Sequence, residues 1–216
     1  MKSFSSDSGL SVFALIPSIG VILFFLFFIY AASLYPGGTQ FDESTQGFDW
    51  VNNYWCELAT EEAINGQPNA AMPYAVTGML FLGVGISVFC YLMPVWCESQ
   101  RPERILLRLG GIITAAFAAL LFTEYHHEML LGFSIFTLLT MVLTLMILFN
   151  NSCFWQFIVG LAGLVCVQIN NYIYYTRSGI EYLPLLQKLT IAFVLLWVIA
   201  LNIWFVFYAK RPISSD

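Results

Sequence analysis

The only two histidines of the chain stand side by side with carboxylates on either flank: Glu124, Tyr125, His126, His127 and Glu128 run in succession. Imidazole beside carboxylate is the raw material of general-base catalysis and of metal ligation. A polar turn between two apolar segments needs such residues too, so the cluster has a structural reading beside the chemical one. For zinc, neighbouring histidines project in different directions, whereas a motif such as H-E-x-x-H sets both ligands on one helical face. A site would need one histidine plus carboxylates from elsewhere, with Asp42, Asp49, Glu57 and Glu181 as the candidates. Nothing in the spacing specifies that set, and neither a metal nor another cofactor is expected.

Residues 35–72 form the one long polar segment of the chain. Tyr35-Pro36-Gly37-Gly38 opens it with a turn, and Phe48, Trp50, Tyr54 and Trp55 suit a water–headgroup boundary. Residues 51–60 are expected to form a helix lying on or re-entering a membrane leaflet, with Cys56 and Glu57 facing inward. The alternative is a packed lid over helix ends. Elsewhere, Gln168, Asn170 and Asn171 stand close to Tyr174, Tyr175 and Arg177, and Asn202 stands alone near the other end of its segment. Buried amides of this kind either bond helix to helix, at about 0.6 kcal/mol each, or form the floor of a cavity.

The elements that must carry these groups are apolar. Hydrophobic residues make up 59% of the chain and charged residues 10%, with a mean hydropathy of +0.78, far from the soluble norm of about 25% charged. The expected fold is an all-α integral membrane protein: six transmembrane helices in one bundle, with a long outer loop between helices 1 and 2. The spans fall at about 10–34, 73–94, 105–123, 129–149, 154–176 and 186–208, with the loop at 35–72. The first is read as a retained helix, being longer than a signal h-region. Gly78, Gly83, Gly85 and Ser87 on the second, and Gly111, Ala115 and Ala119 on the third, give small-residue faces for close helix approach. With both termini in the cytoplasm, Lys2, Arg101, Arg104, Arg108, Lys210 and Arg211 lie inside and only Arg177 and Lys188 outside, as the positive-inside rule favours.

Several function classes fall away. Eight Lys plus Arg spread along the chain make no nucleic-acid footprint. Of the five cysteines only Cys56 lies in the outer loop, so no disulfide framework is expected. Two-haem ligation, a G-x-S-x-G elbow and a phosphate-binding glycine loop lack their residues. The want of an internal repeat weakens a transporter reading without excluding it, and a channel is least favoured for want of a continuous polar face, although oligomerisation could supply a pore.

One resemblance stands out. Tyr35-Pro36-Gly37, then Asn53-Tyr54-Trp55-Cys56-Glu57-Leu58-Ala59, then Asn69-Ala70 ahead of the span with Gly78, resemble the pattern of the bacterial six-helix membrane family catalogued as domain of unknown function 998. A histidine opening the fourth helix, here His126 or His127, and Gly179-Ile180 before the sixth are also similar, so the likeness runs from about Tyr35 to Trp197. The chain departs from it at Trp55-Cys56, where a small hydroxyl residue is expected, and in its acidic insertion at 42–49. The resemblance implies a six-helix bundle in a bacterial inner membrane and carries no activity with it.

The expectation from sequence is an outer-face polar cavity that binds a small amphiphile or lipid headgroup, lined by Glu57, Glu124, His126, His127, Asn170, Asn171, Arg177 and Glu181. One rival is a membrane hydrolase or transferase using His126 or His127 as base or ligand, assisted by Glu57 or Glu128. The other is a non-catalytic accessory subunit, whose loop and small-residue helix faces meet a partner protein or a second copy, with Trp50 or Trp55 exposed for the purpose.

Overall fold

The computed structural model describes residues 12–120 and 126–207. They form six α-helices in chain order: α1 Val12–Leu34, α2 Met72–Trp96, α3 Arg101–Leu120, α4 His126–Asn150, α5 Phe154–Thr176 and α6 Leu183–Phe207. Five of the helical stretches, Phe13–Leu34, Met72–Trp96, Glu128–Asn150, Phe154–Thr176 and Ile180–Phe207, are long and apolar enough to cross a membrane. A 23-residue helix is about 35 Å long against about 30 Å of hydrocarbon. The remaining helix, α3, carries Arg101, Glu103, Arg104 and Arg108 in its first half, which keeps it out of that group.

Helix ends shift from the sequence reading for local reasons. α3 begins at Arg101, ahead of the span expected from about 105, because Pro102 fits a first turn and Glu103 accepts the Gln100 N–H at 3.0 Å. α4 begins at His126, so both histidines belong to its first turn. Glu98, Ser152 and Arg177 take left-handed backbone angles, φ 50, 58 and 61, just after α2, α4 and α5, which is how helices commonly stop.

The helices pack in chain order, and α6 closes the ring against α1. α1 and α2 make the closest approach at Gly20 and Gly85. A Cβ on Gly20 would stand 2.6 Å from the Phe81 carbonyl oxygen and 2.9 Å from Gly85 Cα, both backbone atoms that cannot swing aside. Gly20→Ala is therefore expected to cost about 1–3 kcal/mol. Gly83→Ala, whose Cβ would meet Ala115 at an ordinary 3.5 Å, should leave stability nearly unchanged. Thermal unfolding of the two detergent-solubilised variants beside the parent checks the contrast, and equal melting would contradict it.

Two apolar cores divide the bundle. At the loop end Phe24, Phe28 and Ala31 of α1, Ala75 of α2 and Leu195 of α6 surround Trp55 and Leu58. At the opposite end Phe89, Met93, Leu107, Leu145, Leu148, Trp197 and Leu201 interlock. Asn202 is fully buried and ties α6 to α1: Ser18 Oγ donates to its Oδ1 at 2.6 Å, and its Nδ2 donates to the Ala14 carbonyl at 2.9 Å. Pro17 lies in the same turn of α1 and has no N–H to give. The missing N–H frees the Phe13 carbonyl four residues back, and Asn202 bonds the carbonyl next to it in the chain, that of Ala14.

Candidate functional site

The polar segment is a plug, built from its own side chains, that seats among α1, α2 and α6. Its only helix is the single 3-10 turn Trp55–Ala59, shorter than the helix expected over 51–60. Asn53, fully buried, is the hub: its Nδ2 donates to Glu57 Oε2 at 2.6 Å and to the Gly38 carbonyl at 2.7 Å, while its Oδ1 accepts the Asp49 N–H at 2.8 Å. Glu57 Oε2 also accepts the Tyr54 N–H at 3.1 Å. Asn69 Nδ2 donates to the carbonyls of Glu57, Leu58 and Thr60 at 3.0, 3.3 and 3.0 Å, closing the loop on itself.

The seat is Lys188 of α6. Its buried amine donates to the Asn53 carbonyl, with the Phe48 ring 5.7 Å away. Glu57 and Asp49 both act on it as opposite charges. Burial pushes the Glu57 carboxyl up to about 7, against the opposing pull of Asn53, the Tyr54 N–H and Lys188, and its second oxygen is buried without a hydrogen-bond partner. For Asp49 burial also raises, but bonds from Asn52 and Val51 and the charge of Lys188 outweigh it and hold the carboxyl below its ordinary range.

Among the described residues, the structure does not bring the members of the expected lining into one place. Glu57 is spent inside the plug. Asn170 turns to α6, where its Nδ2 donates to Thr190 Oγ1 at 2.6 Å, and it also donates to the Cys166 carbonyl of its own helix at 2.9 Å. Arg177 and Glu181 are exposed beyond the end of α5, with the Arg177 guanidinium 5.2 Å from the Tyr174 ring and close enough to Tyr54 to act on it electrostatically. Glu128 is exposed on the first turn of α4, the backbone of His126 and His127 precedes it there, and Glu124 lies outside the described residues. Two expectations about the loop are corrected: Cys56 is exposed instead of facing the bundle, and Trp55, 7% exposed, is buried among Phe24, Phe25 and Phe28. In a single 3-10 turn Trp55 and Glu57 take the inward directions, which leaves Cys56 between them pointing out. Trp50 is exposed as expected.

Asn171 contributes to a different feature, a groove of about 380 Å³ between α4 and α5. Leu131, Ile135 and Leu138 form its apolar floor, Ser134, Gln168 and Asn171 its polar wall, and Tyr172, Tyr175 and Thr176 its mouth. Among the described residues, no His/Cys/Asp/Glu group could hold a metal ion.

Sequence reasoning passed over Lys188, counting it only as an outer charge. The signal was present: it lies inside the predicted span 186–208, and an ammonium within an apolar helix demands a partner. Compared with family models, curated proteins and solved structures, the chain matches none of them.

Proposed function

We propose that the chain crosses a bacterial inner membrane six times with both termini in the cytoplasm, and that it holds a small amphiphile or lipid in the α4–α5 groove at the outer face. The reading rests on one observation. Among the described residues, the side-chain amides of Gln168 and Asn171 have no hydrogen-bond partner, yet they stand on a groove floored by leucine and isoleucine. Counted back from Thr176 at 1.5 Å per residue, they sit about 12 Å and 8 Å, respectively, below the end of α5. Amides at that depth are costly in hydrocarbon unless something bonds them.

A molecule with an acyl or alkyl body and carbonyl, ester or hydroxyl groups near its head would lie along the floor and satisfy both amides. Tyr172 and Tyr175 at the mouth suit the headgroup boundary. Membership of the family that the sequence resembles belongs to the same proposal. The hydrolase reading loses its assisting Glu57, which is committed to the plug.

Native mass spectrometry of gently solubilised protein tests it. The parent should carry a mass increment of a lipid or small amphiphile. A Gln168→Leu, Asn171→Leu double variant should retain about thirtyfold less, taking about 1 kcal/mol for each of two lost hydrogen bonds. Undiminished retention, or a bare parent, would sink the proposal.

A further inference from the structure

A second groove, of about 260 Å³, lies at the opposite end of the bundle from the plug, where α1, α2 and α3 meet. Phe13, Val88 and Ile112 give it apolar walls with Ser87 between them, and Tyr91 and Arg108 stand over it. Among the described residues Arg108 is the one charged residue lining it, about 10 Å along α3 from Arg101. Its guanidinium lies 4.0 Å from the centre of the Tyr91 ring, and its Nε donates to the Tyr91 carbonyl at 3.4 Å. The Nε of Arg104 is likewise engaged, by the Ser99 carbonyl at 2.6 Å. Both arginines are thus steered through Nε, and no bond to either terminal Nη edge is found among the described residues.

The spacing matters as much as the groove. Arg101, Arg104 and Arg108 stand at i, i+3 and i+7, so they line one face of α3. Side chains on a helix lean toward its N-terminus, and Arg108 leans over Tyr91 of α2 while Arg104 reaches Ser99 in the α2–α3 turn. The acids of that corner are engaged or set aside: Glu103 caps the α3 start through Gln100, and Glu98 is exposed beyond the α2 end. An apolar slot opening beneath a ladder of three cations matches a molecule with a hydrocarbon chain below and an anionic phosphate above.

We propose that this groove is a binding site for an anionic phospholipid of the inner leaflet, with one acyl chain between Phe13, Val88 and Ile112 and the phosphate on Arg108 and Arg104. Basic pockets between helices on the cytoplasmic side take such headgroups, and guanidinium meets phosphate with a two-pronged geometry that ammonium lacks. The site shares the membrane setting with the outer groove but none of its residues, so either can stand without the other.

The test is native mass spectrometry of the full chain after equilibration with phosphatidylglycerol or phosphatidylcholine of the same acyl chains. Phosphatidylglycerol should be retained preferentially, and Arg108→Gln should lower its retention about fivefold, the loss expected for one cation near an anionic surface, without changing that of phosphatidylcholine. Ser87→Phe fills the slot and leaves the arginines in place. It should lower phosphatidylglycerol retention too, and it decides the matter if Arg108→Gln does not fold. Equal retention of the two lipids by the parent, or undiminished phosphatidylglycerol in both folded variants, overturns the site. Displacement of the lipid by millimolar inorganic phosphate would overturn the lipid half, leaving a phosphate site only. Loss of lipid from the outer-groove double variant alone would leave this proposal untouched.

Discussion

Lys188→Met is expected to unseat the plug and to cost about 3–5 kcal/mol, the usual penalty for removing one partner of a buried charged group. Methionine fills most of the volume, so the loss is chiefly electrostatic. The Asn53 carbonyl loses its donor, and Glu57 and Asp49 lose the charge that faces them. The effect should depend on pH with a defined sign. Burial lifts the Glu57 carboxyl from 4.5 to about 7 in the folded chain. Between those values the unfolded chain has released its proton while the folded chain keeps it, so stability is complete below pH 4.5 and falls as pH rises to about 7. Without Lys188 the fall should continue to higher pH, because nothing offsets the buried carboxylate. With Glu57→Gln it should vanish. Hydrogen exchange of the loop amides at pH 5 and pH 8, in the parent, both single variants and the double variant, reads this directly. Parallel pH profiles in the parent and in Lys188→Met would refute the coupling.

Trp55→Ala comes next in size. The indole packs edge-on against Phe24 and Phe25 at 5.5 and 6.1 Å and against Phe28 at 5.4 Å. Phe24 is ten residues from the end of α1, about 15 Å along its axis, so the plug reaches well down the bundle. Truncating a buried tryptophan typically costs about 3–5 kcal/mol. Trp50→Ala removes the same side chain from an exposed position and should cost under about 0.5 kcal/mol. Limited proteolysis of the loop separates them: Trp55→Ala should be cut readily and Trp50→Ala as slowly as the parent. Equal protection of both variants would show that the aromatic cluster does not hold the plug.

Hydropathy alone located the helices to within a few residues, because a run of some twenty apolar side chains leaves the backbone no alternative that satisfies its own polar groups. The small-residue faces were legible for a similar reason: Gly85 meets Gly20, and Gly111 lies against Cys90, because only a missing side chain permits that approach. The site was harder. Asn170 and Asn171 are adjacent in sequence, yet one bonds α6 and the other faces the α4–α5 groove, since neighbours on a helix point about 100° apart. Asn53 and Asn69 showed in the motif without showing their purpose. Each bonds several backbone groups of an irregular loop, and such bonds have no period in the sequence for a reader to detect.

The seat of the plug also fixes when the molecule can be finished. Asn53 meets Lys188 across 135 residues of chain, and Ser18 meets Asn202 across 184. During synthesis the plug emerges well ahead of the amine that receives it, which lies 135 residues after Asn53. Until α6 arrives, Glu57 has no countercharge and α1 has no neighbour for its proline-interrupted turn. Closure of α6 onto α1 completes both ends of the bundle together: one helix brings Lys188 to Asn53 and Asn202 to Ser18.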